Sequence, residues 1–380
     1  MRLGTLRVES RLIPSAKADA VVKALGAIAA VLIAGLILQL SGKDAYYLGE
    51  QALDQNLGSW PQTQQMLLLT VPILMTALAV YLCTRLRVWN IGVGGQMLMG
   101  ATAATALGLH VDLPNGLMLV LMALAAAVAG ALWMLIPALL RAYWSVNEVI
   151  TTLLMSFVAL KLVEWLATDA WNDPAAGIRS TPSVPYDLPL LPGTVLHVGI
   201  FAPLVVAVIM AFVLRRTTWG YEVDIMGANP DAAAAVGMPS KRRMVVVMMW
   251  SGAIAGLGGM IQLTGTLHAL SADLGTDAGL YGFIVAALAA GSIIGLLVIG
   301  VLITMLLNSG IALATEGVSQ DVVVALYGFI LLLGGLGQVA ARKRIVRREP
   351  VTAAPDPTAG DTPEPVAASV AAAPSTERSS

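Results

Sequence analysis

The chain has 380 residues, of which 57% are hydrophobic and only 12% charged, with a formal net charge of −1 and a mean hydropathy of +0.80. Such a composition excludes an ordinary soluble domain and marks an all-α integral membrane protein. Net charge near zero, with basic residues at segment ends, leaves no footprint for nucleic acid. Cys83 is the single cysteine, so an intrachain disulfide and a cysteine-based metal cluster are both excluded, and the scattered His110, His197 and His268 provide no metal site.

Residues 1–20 carry Arg2, Arg7, Arg11 and Lys17 against Glu9 and Asp19, which places the N-terminal segment in the cytoplasm. The apolar run Val21–Leu40 is too long for a signal-peptide core and lacks a small-residue cleavage site, so it is expected to be retained as a first span. Residues 41–65 have one lysine and no arginine, as an external loop would. Met66–Cys83 returns to Arg85 and Arg87, Ile91–Leu109 goes out, and Gly116–Leu140 comes back to Arg141. A fifth span covers Val149–Thr168, with Ser145 and Glu148 placed as a capping box at its start. Lys161 and Glu164, three apart, are spaced to pair.

A proline-, aspartate- and tryptophan-rich stretch to about Thr194 is expected to fold over the outer face before Val198–Leu214 returns. The loop 215–243 is bracketed by Arg215 and Arg216 on one side and Lys241, Arg242 and Arg243 on the other, hence cytoplasmic. Within it Asn229 suits a helix cap, Pro230 the first helical position and Asp231 the positive helix end, while Ala232–Ala235 favour helix and Gly237 stops it. So short a helix is unstable alone in water and predicts a partner protein that holds it. Met244–Gly265 leaves the loop, and His268, Asp273 and Asp277 follow outside. Leu280–Leu307 reads as two short spans hinged at Ser292, because one long span would turn the basic cluster Arg342–Arg348 outward. Val322–Ala341 completes about ten spans with both termini cytoplasmic, and residues 342–380 form a basic, then disordered, cytoplasmic tail. Spans two to five and seven to ten run in opposite senses, as an inverted repeat would.

No GxxxxGK[ST] phosphate loop is present, so this chain holds no ATP site of its own. Charged residues are nearly absent from the spans, which disfavours an ion-coupled carrier and favours an uncharged solute with an external energy source. The polar residues within spans are amides and hydroxyls: Asn90, Gln96, Asn147, Thr151, Thr152, Ser156, Gln262 and Asn308. They can hydrogen-bond a hydroxylated or heterocyclic solute along its pathway, or equally glue one helix to another. Gly92, Gly94, Gly95 and Gly100, with Gly252, Gly256, Gly258 and Gly259, suit close helix packing.

The run Asn90–Ala101, the stretch Val146–Leu153 and the loop Gly227–Ala233 followed by Ser251–Ala253 resemble bacterial permeases of ATP-binding-cassette (ABC) importers. The resemblance spans roughly residues 20–340 and lies with the nucleoside-type branch, related to ribose and other simple-sugar permeases. The sequence departs from that pattern at Gly94, where a glutamate is frequent, and across residues 290–295, where a charged or proline-containing turn is usual. The resemblance implies a multi-pass cell-membrane permease domain over residues 21–341 that transports without catalysing. It implies two cytoplasmic ABC ATPase subunits that hold ATP and magnesium, a second permease subunit, identical or related, and an extracellular or lipoprotein solute-binding protein. Gly227, Asn229, Pro230, Asp231, Ala232 and Gly237 would form the coupling helix that docks on the ATPase. A simple-sugar permease is the near alternative, and branched-chain amino acid import fits less well because a zwitterion favours charges or helix ends at the midplane. A stand-alone facilitator leaves the capped loop helix unexplained, and an intramembrane enzyme lacks a nucleophile–base pair.

Overall fold

The computed structural model describes residues 6–10, 32–33, 35–40, 42–173, 180–271, 274, 276–289, 291–319 and 343–347, with helical positions at 322, 325, 328 and 332. Most of the first and last expected spans, Asp273 and the tail beyond residue 347 therefore lie outside the described residues. Two compact units emerge, residues 1–13 with 342–380 and residues 14–341. In the first, β1 (Leu6–Ser10) pairs antiparallel with β2 (Lys343–Arg347), Leu6 opposite Arg347 and Ser10 opposite Lys343. This ribbon joins the two ends of the chain and is the exception to an otherwise helical architecture among the described residues.

The second unit is a helical bundle: α1 (Ala45–Leu57), α2 (Trp60–Thr84), α3 (Val93–His110), α4 (Asn115–Trp144), α5 (Glu148–Trp165), α6 (Ala202–Arg216), α7 (Thr218–Ala228), α8 (Pro230–Ala235), α9 (Ser240–Gln262), α10 (Thr276–Leu288) and α11 (Ile293–Thr315). Among the described residues, six helical stretches are long and apolar enough to cross a bilayer: 60–84, 115–144, 148–170, 198–216, 240–267 and 293–315. α9 runs through the centre, packed along α4, α3 and α2, while α2 also packs along α10 and α11. They crowd together at Gly256, where a Cβ would collide with the Ala126 carbonyl and stand 3.2 Å from the Gly130 Cα, and Gly100 presses on the same residue. Only side-chain-free positions allow three backbones to meet there. Met75, Met97, Met118, Met122, Met134 and Met248, all fully buried, fill the irregular gaps around this node.

Several local expectations give way to other geometry. Residues 41–65 are not a loop: Asp44 accepts hydrogen bonds from the Tyr46 and Tyr47 N–H groups and starts α1. The polar α1 is held by tertiary contact, for Asn56 Nδ2 donates to the Met305 carbonyl (3.1 Å) and to Ser309 Oγ (2.9 Å) on α11. Ser145 does not cap α5 but closes α4 in the left-handed region (φ 54°), and Asn147 Oδ1 accepts from Val149 N–H (2.9 Å) instead. The run 280–307 divides into α10 and α11 around Gly291 and Ser292, whose Oγ accepts from Gly295 N–H (3.0 Å). The 13 residues of α10 rise about 20 Å, short of a full crossing of a hydrocarbon core of about 30 Å.

Candidate functional site

The bundle has one basic end, and its charges are tied together. Arg85, just past α2, donates from Nε to Asp224 Oδ1 on α7 at 3.0 Å, with Nη2 engaging the same oxygen. Arg243 at the start of α9 pairs with Glu222 on α7. Arg141 near the end of α4 lies 3.2 Å from Glu148, whose other carboxylate oxygen accepts from Trp89 N–H at 3.4 Å. Glu148 is buried at 7% exposure, so its charge is offset by partners on two elements. Lys241 Nζ sits 5.5 Å from the Tyr143 ring centroid.

From this end projects the expected short helix, preceded by one that sequence reasoning missed. Thr217 Oγ1 accepts from Gly220 N–H (3.2 Å) and opens α7. Asn229 Oδ1 accepts from Ala232 N–H (3.1 Å) and opens α8, with Pro230 in its first turn. Gly237 (φ 79°) follows the C-cap Val236 in a conformation that a side chain disfavours. Ala233 is fully buried, whereas Asn229, Pro230, Ala232, Ala234, Ala235 and Val236 are exposed. Gly227 lies against the Arg85 carbonyl, where any Cβ would collide, so α7 is seated on the α2–α3 turn. Above Arg85, Tyr81 Oη donates to the Gly291 carbonyl (3.0 Å) at the α10–α11 break. A continuous set of contacts thus links α8, α7, the end of α2 and that break. Arg85 reads in the sequence as a marker of membrane side only; its pairing with Asp224 is a matter of tertiary geometry.

The pathway candidates scatter into three settings. Asn90 and Gln96 meet: Asn90 Nδ2 donates to Gln96 Oε1 and Gln96 Nε2 donates to Asn90 Oδ1, both at 2.9 Å. Asn90 Nδ2 also donates to Ser251 Oγ (2.9 Å), which donates to the Ala79 carbonyl (2.6 Å). All three side chains are buried, and the amides occupy each other's hydrogen-bonding capacity. Along α5, Asn147 caps the helix, Thr151 Oγ1 bonds the Asn147 and Glu148 carbonyls at 3.2 Å, and buried Thr152 Oγ1 bonds the Glu148 carbonyl at 2.7 Å. Ser156 Oγ accepts from Gly95 N–H (3.2 Å) and fixes α5 against α3. Gln262 is half-buried at the end of α9, where the helix widens into a π turn over Leu263–Leu267.

At the opposite end, the segment 180–198 lies across the bundle as the composition predicts. Its Thr181, Val184 and Leu188 N–H groups donate to the carbonyls of Leu270 (3.1 Å), His268 (2.7 Å) and Thr264 (3.0 Å). Val195 N–H reaches Gln64 Oε1 (2.7 Å), and Tyr186 Oη donates to the Val111 carbonyl (3.1 Å). His197 is packed between Gly199 and Gly265 with its Nδ1 unpartnered, and burial together with nearby His268 lowers its pKa below the usual imidazole value. His268 Nδ1 lies 2.9 Å from Asp187 Oδ1.

Residues 62–334 match the family model described as branched-chain amino acid transport system / permease component. The chain is 32% identical over 327 residues to the glucose ABC transporter permease protein TsgB13 of Haloferax volcanii, covering 82% of this chain and 85% of the relative. It is 33% identical over 272 residues to the guanosine ABC transporter permease protein NupP of Bacillus subtilis, covering 69% and 77%. It is 28% identical over 305 residues to the nucleoside ABC transporter permease protein NupB of Lactococcus lactis, covering 77% and 84%. No solved structure matches significantly.

Proposed function

The chain belongs to the branched-chain amino acid transport system / permease component family, and from that premise we propose that it is the membrane-spanning subunit of an ABC importer for nucleosides. The observation that carries the importer reading is α8: a capped, largely exposed helix at the basic end, braced by Arg85–Asp224 and Arg243–Glu222. Basic residues favour the cytoplasmic face, so α8 is directed at the cytoplasm, where an ATPase subunit is met. Closure of two ATPase subunits pushes α8; α7 passes the displacement through Asp224 to Arg85 and the end of α2, and Tyr81 passes it to the α10–α11 break. ATP and magnesium belong to the ATPase, and a solute-binding protein delivers solute at the opposite end, across the 180–198 segment. The β1–β2 pairing supports both chain ends on one membrane side, since paired strands cannot be separated by a bilayer.

The substrate assignment draws on NupP and NupB, whose names specify guanosine and nucleosides, and on spans nearly free of charge. An uncharged solute with hydroxyls and ring nitrogens suits a path of amides and hydroxyls, for which Asn147, Thr151, Ser156 and Gln262 are the candidates left incompletely buried. Asn90 and Gln96 serve packing in this arrangement, because a solute would have to break their mutual bonds. The glucose relative TsgB13 keeps a simple sugar as the second reading. The matching contact pattern, α9 on α3 and α4 as α2 on α10 and α11, is what supports the reading of an inverted repeat.

The test is uptake of labelled guanosine and uridine against glucose and ribose in cells with and without this chain, with the ATPase's ATP site intact or disabled. Nucleoside uptake that requires both is the expected result. Sugar uptake alone moves the substrate, and uptake indifferent to the ATP site refutes the importer.

A further inference from the structure

The two faces of α4 differ in kind. On one, Ala126, Gly130 and Met134 meet Gly252 and Gly256 of α9 at backbone distance. On the other, Leu117, Val120, Leu124, Val128, Leu132 and Ile136 recur every three or four residues, each 50–60% exposed. Helices that pack on protein within a membrane present small side chains, as the first face does; the second has none and suits acyl chains. From Leu117 to Ile136 the stripe rises about 28 Å, which matches a hydrocarbon core of about 30 Å. Tyr143 and Trp144 stand about 10 Å further along the helix, both exposed, at the depth of lipid headgroups.

At that depth the start of α9 brings two cations to the end of α4. Lys241 Nζ lies 5.5 Å from the Tyr143 ring centroid, and Arg242 beside it is exposed. The acids nearby are already engaged, Glu222 by Arg243 and Glu148 by Arg141. Among the described residues, neither Lys241 nor Arg242 has a carboxylate partner. We propose that this corner of α4 and α9 binds an anionic phospholipid, its phosphate on Lys241 and Arg242 and its acyl chains along the α4 stripe. The Tyr143 ring steadies one side of the ammonium and leaves the other to donate to phosphate oxygens, while the phenol and indole of Tyr143 and Trp144 add donors. A zwitterionic lipid carries its own cation beside the phosphate and gains less here. Free phosphate shares the headgroup's chemistry but leaves the stripe uncovered, and the stripe commits the site to a lipid. Lys241 follows shortly after α8, so the bound lipid anchors the root from which that helix projects.

The test is native mass spectrometry of the full chain released from detergent micelles that carry equal amounts of phosphatidylglycerol and phosphatidylcholine with the same acyl chains. Retention of phosphatidylglycerol over phosphatidylcholine is expected. Lys241→Gln and Arg242→Gln should each lower the apparent affinity for phosphatidylglycerol by about fivefold and leave that for phosphatidylcholine unchanged. Arg87→Gln removes an exposed cation from the α2–α3 turn and should change neither. Equal retention of the two lipids, or an equal loss from Arg87→Gln, overturns the proposal. So does displacement by inorganic phosphate that chloride at the same ionic strength does not reproduce. A protein cover is distinguished by placing the photo-crosslinking residue p-benzoylphenylalanine at Trp144 in native membranes. Phospholipid adducts are expected on illumination, and protein adducts in their place refute the lipid as occupant.

Discussion

Replacing Asp224 with alanine removes the brace between α7 and the end of α2 while leaving α8 and the membrane bundle in place. The two side chains are 29% and 41% exposed, so water screens the pair and offers Arg85 an alternative partner. A pair of this exposure contributes at most about 1 kcal/mol to stability, too little to unfold the bundle. If that energy is instead the coupling between α8 and the spans, its loss lowers solute moved per ATP by about fivefold. The assay is a proteoliposome measurement of ATP hydrolysis and labelled solute uptake, taken as a ratio, for Asp224→Ala, Arg85→Ala and the double variant. In a brace, the double variant loses no more than either single one, and exchanging the charges by Arg85→Asp with Asp224→Arg recovers part of the ratio. Unchanged stoichiometry in Asp224→Ala, or fully additive losses, refutes the route through α2. An equal fall of uptake and hydrolysis would show a defect in ATPase docking instead.

Gly256→Ala drives a Cβ into the Ala126 carbonyl, a backbone atom that cannot swing away, and is expected to destabilise the bundle by about 1–3 kcal/mol. Its thermal unfolding in detergent should fall by several degrees, and an unchanged transition would contradict the three-helix node. Acidification should loosen the 180–198 segment. His197 has a folded-state pKa below 6.5, so its neutral form contributes stability that is complete above about pH 6.5 and lost as pH falls toward the folded value. The protection factors of the Val184 and Leu188 N–H groups, taken against the intrinsic exchange rate at each pH, should therefore fall below about pH 6.5, and His197→Gln should flatten that dependence; protection independent of pH in the native chain would refute it.

The sequence by itself determined the membrane class, most of the helix segments and the local chemistry of α8. Those features follow from short-range rules: apolar run length, basic residues at segment ends, and a capping asparagine followed by proline, alanines and a stopping glycine. It also showed the break near Ser292, because the apolar run is too long for one span. Tertiary structure alone decided the rest. Whether Asn90 and Gln96 meet a solute or each other depends on how the loop before α3 folds back onto it, which spacing does not encode. α1 has the polar composition of a loop and becomes a helix because Asn56 and Leu48 find partners on other segments. Arg85 marks a membrane side in one dimension and becomes a brace in three, since its partner Asp224 lies 139 positions along the chain. Ser145 and Asn147 compete to start α5, and the closing turn of α4, which takes Ser145 into the left-handed region, settles the choice. Local propensity is read within a turn or two of the chain, whereas polar partnership inside a bundle depends on which helices become neighbours.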